Sequence, residues 1–124
     1  MPVTVSWDND THTLICFGVV GRWTWQEFNW AWLESVSMMS GVSHKVHFII
    51  DVNDMVGLPP DLLTRGINFV RSQPHNTGIS FVATSSGFIN LLLSSLKRIV
   101  PQESAYLRWA PNVEAARRNL AAMA

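Results

Sequence analysis

Val46-His47-Phe48-Ile49-Ile50-Asp51-Val52 is a near-continuous apolar run of strand length. A strand wetted on one side alternates apolar and polar residues, whereas one covered on both sides does not, so this run is expected in the middle of a sheet. On its C-terminal side Leu58-Pro59-Pro60-Asp61 places proline where a helix can begin, and Leu63, Ile67 and Val70 mark the buried stripe of that helix. On its N-terminal side Thr24 and Glu27 form a capping box. Trp25, Phe28, Trp32, Val36 and Met39 then repeat at helical spacing until Gly41 offers a stop.

Farther out, Val3-Thr4-Val5-Ser6-Trp7 alternates like a strand, and Asp8-Asn9-Asp10 turns it into a second strand from Thr13 to Gly21. Downstream, Pro74 to Gly78 punctuates before the strand Ile79 to Thr84, and Ser85-Ser86-Gly87 leads into a helix from Phe88 to about Val100, stopped by Pro101. Ala105 to Trp109 reads as a last short strand. Pro111-Asn112 can start a final helix whose core positions are Val113, Ala116, Leu120 and Met123. The order β-β-α-β-α-β-α-β-α predicts an α/β fold with a mixed, mostly parallel sheet of about five strands and about four helices, the opening hairpin supplying the antiparallel pair. At 124 residues the whole chain, 1–124, is read as a single domain.

Apolar residues make up 48% and charged residues 15%, against about 25% charged in an average soluble domain, so apolar surface is expected to remain for a partner. Nine basic and nine acidic residues cancel without any block of like charge, which argues against nucleic acid as a partner. The stretch Met1 to Asp8 lacks the basic start and apolar core of a signal peptide, and the most apolar segment, Phe88 to Val100, is broken by Ser94, Ser95, Lys97 and Arg98. It falls short of the roughly 20 residues that a membrane span needs, so a soluble, cytoplasmic protein is expected. Cys16 lies inside Leu14-Ile15-Cys16-Phe17 with no basic neighbour and reads as a small buried hydrophobe.

The element order resembles that of the STAS domain, within it the SpoIIAA-like branch, and two stretches carry the likeness. One is Phe48-Ile49-Ile50-Asp51-Val52-Asn53-Asp54-Met55-Val56-Gly57-Leu58-Pro59, a central strand ending in an acid and running through a short loop into a helix. The other is Leu107-Arg108-Trp109-Ala110-Pro111-Asn112-Val113-Glu114-Ala115-Ala116, similar to the family's final strand and the Glu-Ala pair opening its last helix. The resemblance spans nearly the whole chain. It implies a STAS-like fold and, for regulatory members, an anti-sigma factor antagonist in which a phosphorylated Ser after the central strand breaks a protein contact. Asp51 to Asp61 contains no Ser, Thr or Tyr, and the nearest hydroxyl, Thr64, falls inside the helix, so the phosphoswitch does not carry over. What the resemblance still implies is the fold and binding through that edge of the sheet.

Ligands of open parallel sheets bind beyond the carboxyl ends of the strands, which selects two loops: Asp51 to Leu58, with Asp51, Asn53, Asp54, Met55 and Leu58, and Ser85 to Phe88, with Ser85 and Ser86. Asp51, Asn53 and Asp54 offer oxygen ligands, yet a turn held by their own side chains is the plainer reading. Ser85 and Ser86 open a helix that could receive an anion, with simple capping as the plainer reading. His44 and His47 point to opposite faces of a strand, His12 and His75 lie in turns, and no nucleophile elbow or phosphate loop is present. No metal, cofactor or catalytic residue is expected, and the chain is read as a non-enzyme.

Six tryptophans stand out. Trp25 and Trp32 fall on the core stripe of the first helix, but Trp30 lies about 140° from Trp25 and is expected at a surface or interface. In the third helix Phe88, Leu92, Leu96 and Ile99 fill one stripe, while Ile89, Leu91, Leu93 and Val100 widen it beyond one face. Phe88 and Leu91 therefore join Trp30 as interface candidates. The leading expectation is a non-enzymatic regulatory or protein-interaction module, a homodimer through that helix. The alternative is a carrier or sensor of a small apolar, lipid-like ligand held between helices and sheet and lined by Trp, Phe and Met.

Overall fold

The computed structural model describes residues 2–123. Its elements are β1 (Val3–Trp7), β2 (Leu14–Gly21), α1 (Trp25–Ser40), β3 (Val46–Met55), α2 (Leu62–Arg71), β4 (Thr77–Ala83), α3 (Gly87–Ile99), β5 (Leu107–Ala110) and α4 (Val113–Met123). The strands form one five-stranded sheet in the order β1-β2-β3-β4-β5. β1 is antiparallel to β2, and every other neighbouring pair is parallel. This is the α/β fold, element for element, that the sequence predicts.

The order of the strands decides where the helices go. From β2 to β5 each crossover steps one strand in the same direction, and right-handed crossovers stepping one way put their helices on one face. α1, α2 and α3 accordingly share a face, on which Ala31 and Met39 of α1 pack with Ile15, Phe17 and Phe48, and Val70 and Leu96 pack with Leu107. α4 follows the edge strand and returns over the opposite face, setting Ala115 and Ala116 on Leu14, Ile49, Phe81 and Ala110. β3 is covered on both faces at its centre, as its unbroken apolar run requires.

Local chemistry fixes several boundaries. The Thr24 side chain accepts from the Glu27 N–H, and Glu27 Oε1 accepts from the Thr24 N–H at 2.9 Å, completing the capping box. In the hairpin turn Asn9 Oδ1 accepts from the Thr13 N–H at 3.0 Å, and Asn9 Nδ2 donates to Thr13 Oγ1 at 2.7 Å. Ser86 caps α3 by accepting from the Ile89 N–H.

Four expectations need correction. β3 does not end at Val52: it continues to Met55, because β2 is long enough to pair Val20 with Asp54 and Gly21 with Met55 after a register shift. Asn53, Asp54 and Met55 are therefore strand residues, and of that predicted loop only the stretch beyond Met55 is loop. Pro59 and Pro60 precede α2 without opening it. Asp61 takes the left-handed conformation with φ 60° and caps nothing, and the Pro60 carbonyl instead accepts from Trp25 Nε1 at 2.8 Å. The core stripe of α3 is Ile89, Leu92, Leu93 and Leu96, rotated off the Phe88 and Ile99 line, so that Phe88 (54%), Leu91 (59%) and Ile99 (53%) are exposed. On α4, burial falls from Ala116 through half-buried Leu120 to an exposed Met123, which leaves the core. Among the described residues no helix is long and apolar enough to cross a membrane.

Candidate functional site

At the carboxyl ends of the strands the residues singled out by sequence bond mainly to one another. Asn53 Oδ1 accepts from the Ser85 N–H at 2.8 Å, and Asn53 Nδ2 donates to the Pro111 carbonyl at 3.0 Å. Asp51 Oδ1 accepts from the Asn53 N–H at 3.1 Å, Thr84 Oγ1 accepts from the Ser86 N–H, and Trp109 Nε1 donates to the Thr84 carbonyl. Asp51, Asn53, Ser85 and Ser86 thus come together, but as a clamp across the ends of β3, β4 and β5. Asp54 and Leu58 stand apart and exposed, as do Trp30 on α1 and Phe88 and Leu91 on α3. Among the described residues no three His, Cys, Asp or Glu side chains converge to hold a metal ion.

A concavity lies under the three-helix face, between the helices and the sheet. It is a cavity of about 150 Å³. The sheet contributes Ile50, Val52, Met55, Val82 and Leu107. Leu62, Leu63 and Gly66 of α2 and Ile89, Leu92 and Leu96 of α3 form its sides, while Trp23, Trp25 and Phe28 close the α1 end. Gly66 faces the other wall closely: a Cβ there would stand 3.3 Å from Leu96 Cδ1, so a larger residue would need the Leu96 side chain to give by a few tenths of an ångström.

The aromatic end is a packed cluster. Trp23 meets Trp25 edge-on at 4.9 Å between centroids, and Phe28 contacts Trp23, Trp25 and Phe69 at 5.7 to 6.0 Å. The Arg65 guanidinium carbon lies 5.5 Å from the Trp25 ring centroid, within cation–π range, and Arg65 is the one charged residue in the lining. Trp23 Nε1 is buried without an acceptor, a condition that costs about 1–3 kcal/mol while it lasts. A second cavity, of about 240 Å³, runs between α1 and α2 and takes in Asn29, Asn68 and Ser72. It shares Trp25, Phe28, Arg65 and Phe69 with the first.

The groups with shifted titration lie elsewhere. Burial, with a smaller contribution from Asp8, pushes the Cys16 thiol up to about 11, so the thiolate that would react is scarce at neutral pH. Burial raises the Tyr106 phenol, and burial with Lys45 lowers His47. None of the three lines the cavity, whose lining holds no nucleophile, carboxylate or imidazole. Chemically the arrangement can take up an apolar body and meet it with the Arg65 guanidinium.

Sequence reasoning offered a space lined by Trp, Phe and Met only as its alternative reading and put Trp25 on the packed core stripe; Trp23, Trp25, Phe28 and Met55 border the cavity. It passed over Arg65 and Gly66. Arg65 is exposed and Gly66 half-buried on α2, and no local pattern marks either, because what they do depends on Trp25 and Leu96 of other helices. No protein-family model matches this chain, and neither a curated protein nor a solved structure matches it.

Proposed function

We propose that this chain is a non-enzymatic binding module that carries or senses a small apolar ligand in the cavity between the sheet and α1, α2 and α3. The observation that carries this reading is the cavity itself, about 150 Å³ of space with an almost wholly apolar lining and no catalytic group. An apolar hole of that size accepts a guest such as benzene. A guest there removes its own apolar surface and that of the lining from water, at roughly 25 cal/mol per Å² of apolar area buried.

The test is native mass spectrometry of freshly purified protein, followed by titration with toluene monitored through tryptophan fluorescence. A retained small molecule or a saturable change is expected, since Trp23 and Trp25 line the space. Protein that carries nothing and shows no saturable response refutes the reading.

A second reading keeps the interaction module of the STAS, SpoIIAA-like type. The element order and the two stretches Phe48 to Pro59 and Leu107 to Ala116 support the resemblance. The observation favouring the module is the outward row of Phe88, Leu91 and Ile99 on α3, an apolar surface suited to a second copy of this chain. The two readings are compatible, because the cavity and the outer side of α3 are different surfaces of one helix.

A further inference from the structure

We infer that the ligand is a small anionic amphiphile, whose apolar body fills the deep cavity and whose carboxylate rests on Arg65 where that cavity meets the α1–α2 groove. The inference rests on the reading of the cavity as a ligand site and adds the class of ligand. Its first support is the shared wall: Trp25, Phe28, Arg65 and Phe69 border both spaces, so one molecule can occupy the apolar space and reach the groove that holds Asn29 and Asn68. About 150 Å³ limits the buried part to roughly one aromatic ring or a short branched chain.

Charge selects the head group. Arg65 is the sole charged residue lining either space, and neither lining contains an Asp or Glu. Among the described residues the ion pairs both belong to Arg117, with Asp8 and Glu114, and no described carboxylate engages Arg65. A single guanidinium offers a forked pair of N–H donors that matches one carboxylate. The Arg65 guanidinium lies 5.5 Å from the Trp25 ring centroid, and Trp25 is anchored by its N–H to the Pro60 carbonyl, which favours the guanidinium at this end of the cavity.

The test uses the whole chain titrated with phenylacetate, with its neutral counterpart phenylacetamide, and with toluene, followed by tryptophan fluorescence and indole N–H resonances. Phenylacetate is expected to bind about tenfold more tightly than phenylacetamide at low salt, the preference shrinking as salt rises. Arg65→Met, which keeps an apolar stem, is expected to abolish the preference while leaving toluene binding in place, and Arg65→Lys to restore part of it. Toluene binding with no preference for the carboxylate, or a preference that survives Arg65→Met, overturns this inference and leaves the cavity reading standing. Failure of all three compounds to bind overturns the cavity reading itself.

Discussion

The side-chain oxygen of Asn53, on β3, accepts a 2.8 Å hydrogen bond from the backbone N–H of Ser85, which follows β4. Its amide nitrogen donates at 3.0 Å to the carbonyl of Pro111, which follows β5. β3 and β5 are not neighbours in the sheet, so this one side chain joins strand ends that backbone pairing does not connect.

Asn53→Ala is expected to lower stability by about 1–2 kcal/mol, the net worth of two partly exposed hydrogen bonds. Asn53→Asp, which keeps the acceptor and loses the donor, is expected to fall between it and the wild type. Urea denaturation midpoints decide the matter, and a midpoint unmoved by Asn53→Ala would show that the clamp contributes nothing.

His47 gives the fold an acid-sensitive point. Its Nδ1 accepts from the Ile79 N–H at 2.8 Å, which requires an unprotonated Nδ1. Gly78 makes room for the ring, since a Cβ there would lie 2.3 Å from that nitrogen. Burial, and then Lys45, hold the His47 pKa below its ordinary 6.5. A depressed folded-state value means that the unfolded chain binds the proton first, so this contribution is whole above pH 6.5 and is lost as pH falls toward the folded-state value. Thermal melts from neutral to mildly acidic pH are expected to fall more steeply for the wild type than for His47→Asn, whose side-chain oxygen can accept from Ile79. Parallel profiles would remove His47 from the account.

The outer row of α3 leads to a prediction about association. Leu91 is 59% exposed between Phe88 and Ile99, and burying a few such side chains against a second copy yields several kcal/mol at roughly 25 cal/mol per Å² before association costs are subtracted. Sedimentation at high micromolar concentration is expected to show dimer for the wild type and monomer for Leu91→Asp, with unchanged circular dichroism. A monomeric wild type would refute self-association, and a folded variant that still dimerises would place the contact elsewhere.

What could be read from the chain alone were features whose cause lies within a few residues. The Thr24–Glu27 capping box, the Ser86 cap and the unbroken run from Val46 to Val52 each carry their own physics, and together they suffice for the element order and the sheet class. The apolar excess in Trp, Phe and Met was legible too, but not whether it packs the core, faces a partner or lines a ligand space.

Only the tertiary structure decided where β3 ends, which way α3 faces and where the cavity lies. β3 reaches Met55 because Val20 and Gly21, far back in the chain, supply its parallel partners. The inward stripe of α3 starts at Ile89 and not at Phe88, because a helix apolar on most of its circumference has its rotation set by the neighbours it meets. Arg65 becomes notable only when Trp25 from another helix is found beneath it, and the cavity exists only as the gap that α1, α2, α3 and the sheet leave among themselves. Such relations between distant segments depend on closing long loops around a shared core, and no local periodicity encodes them.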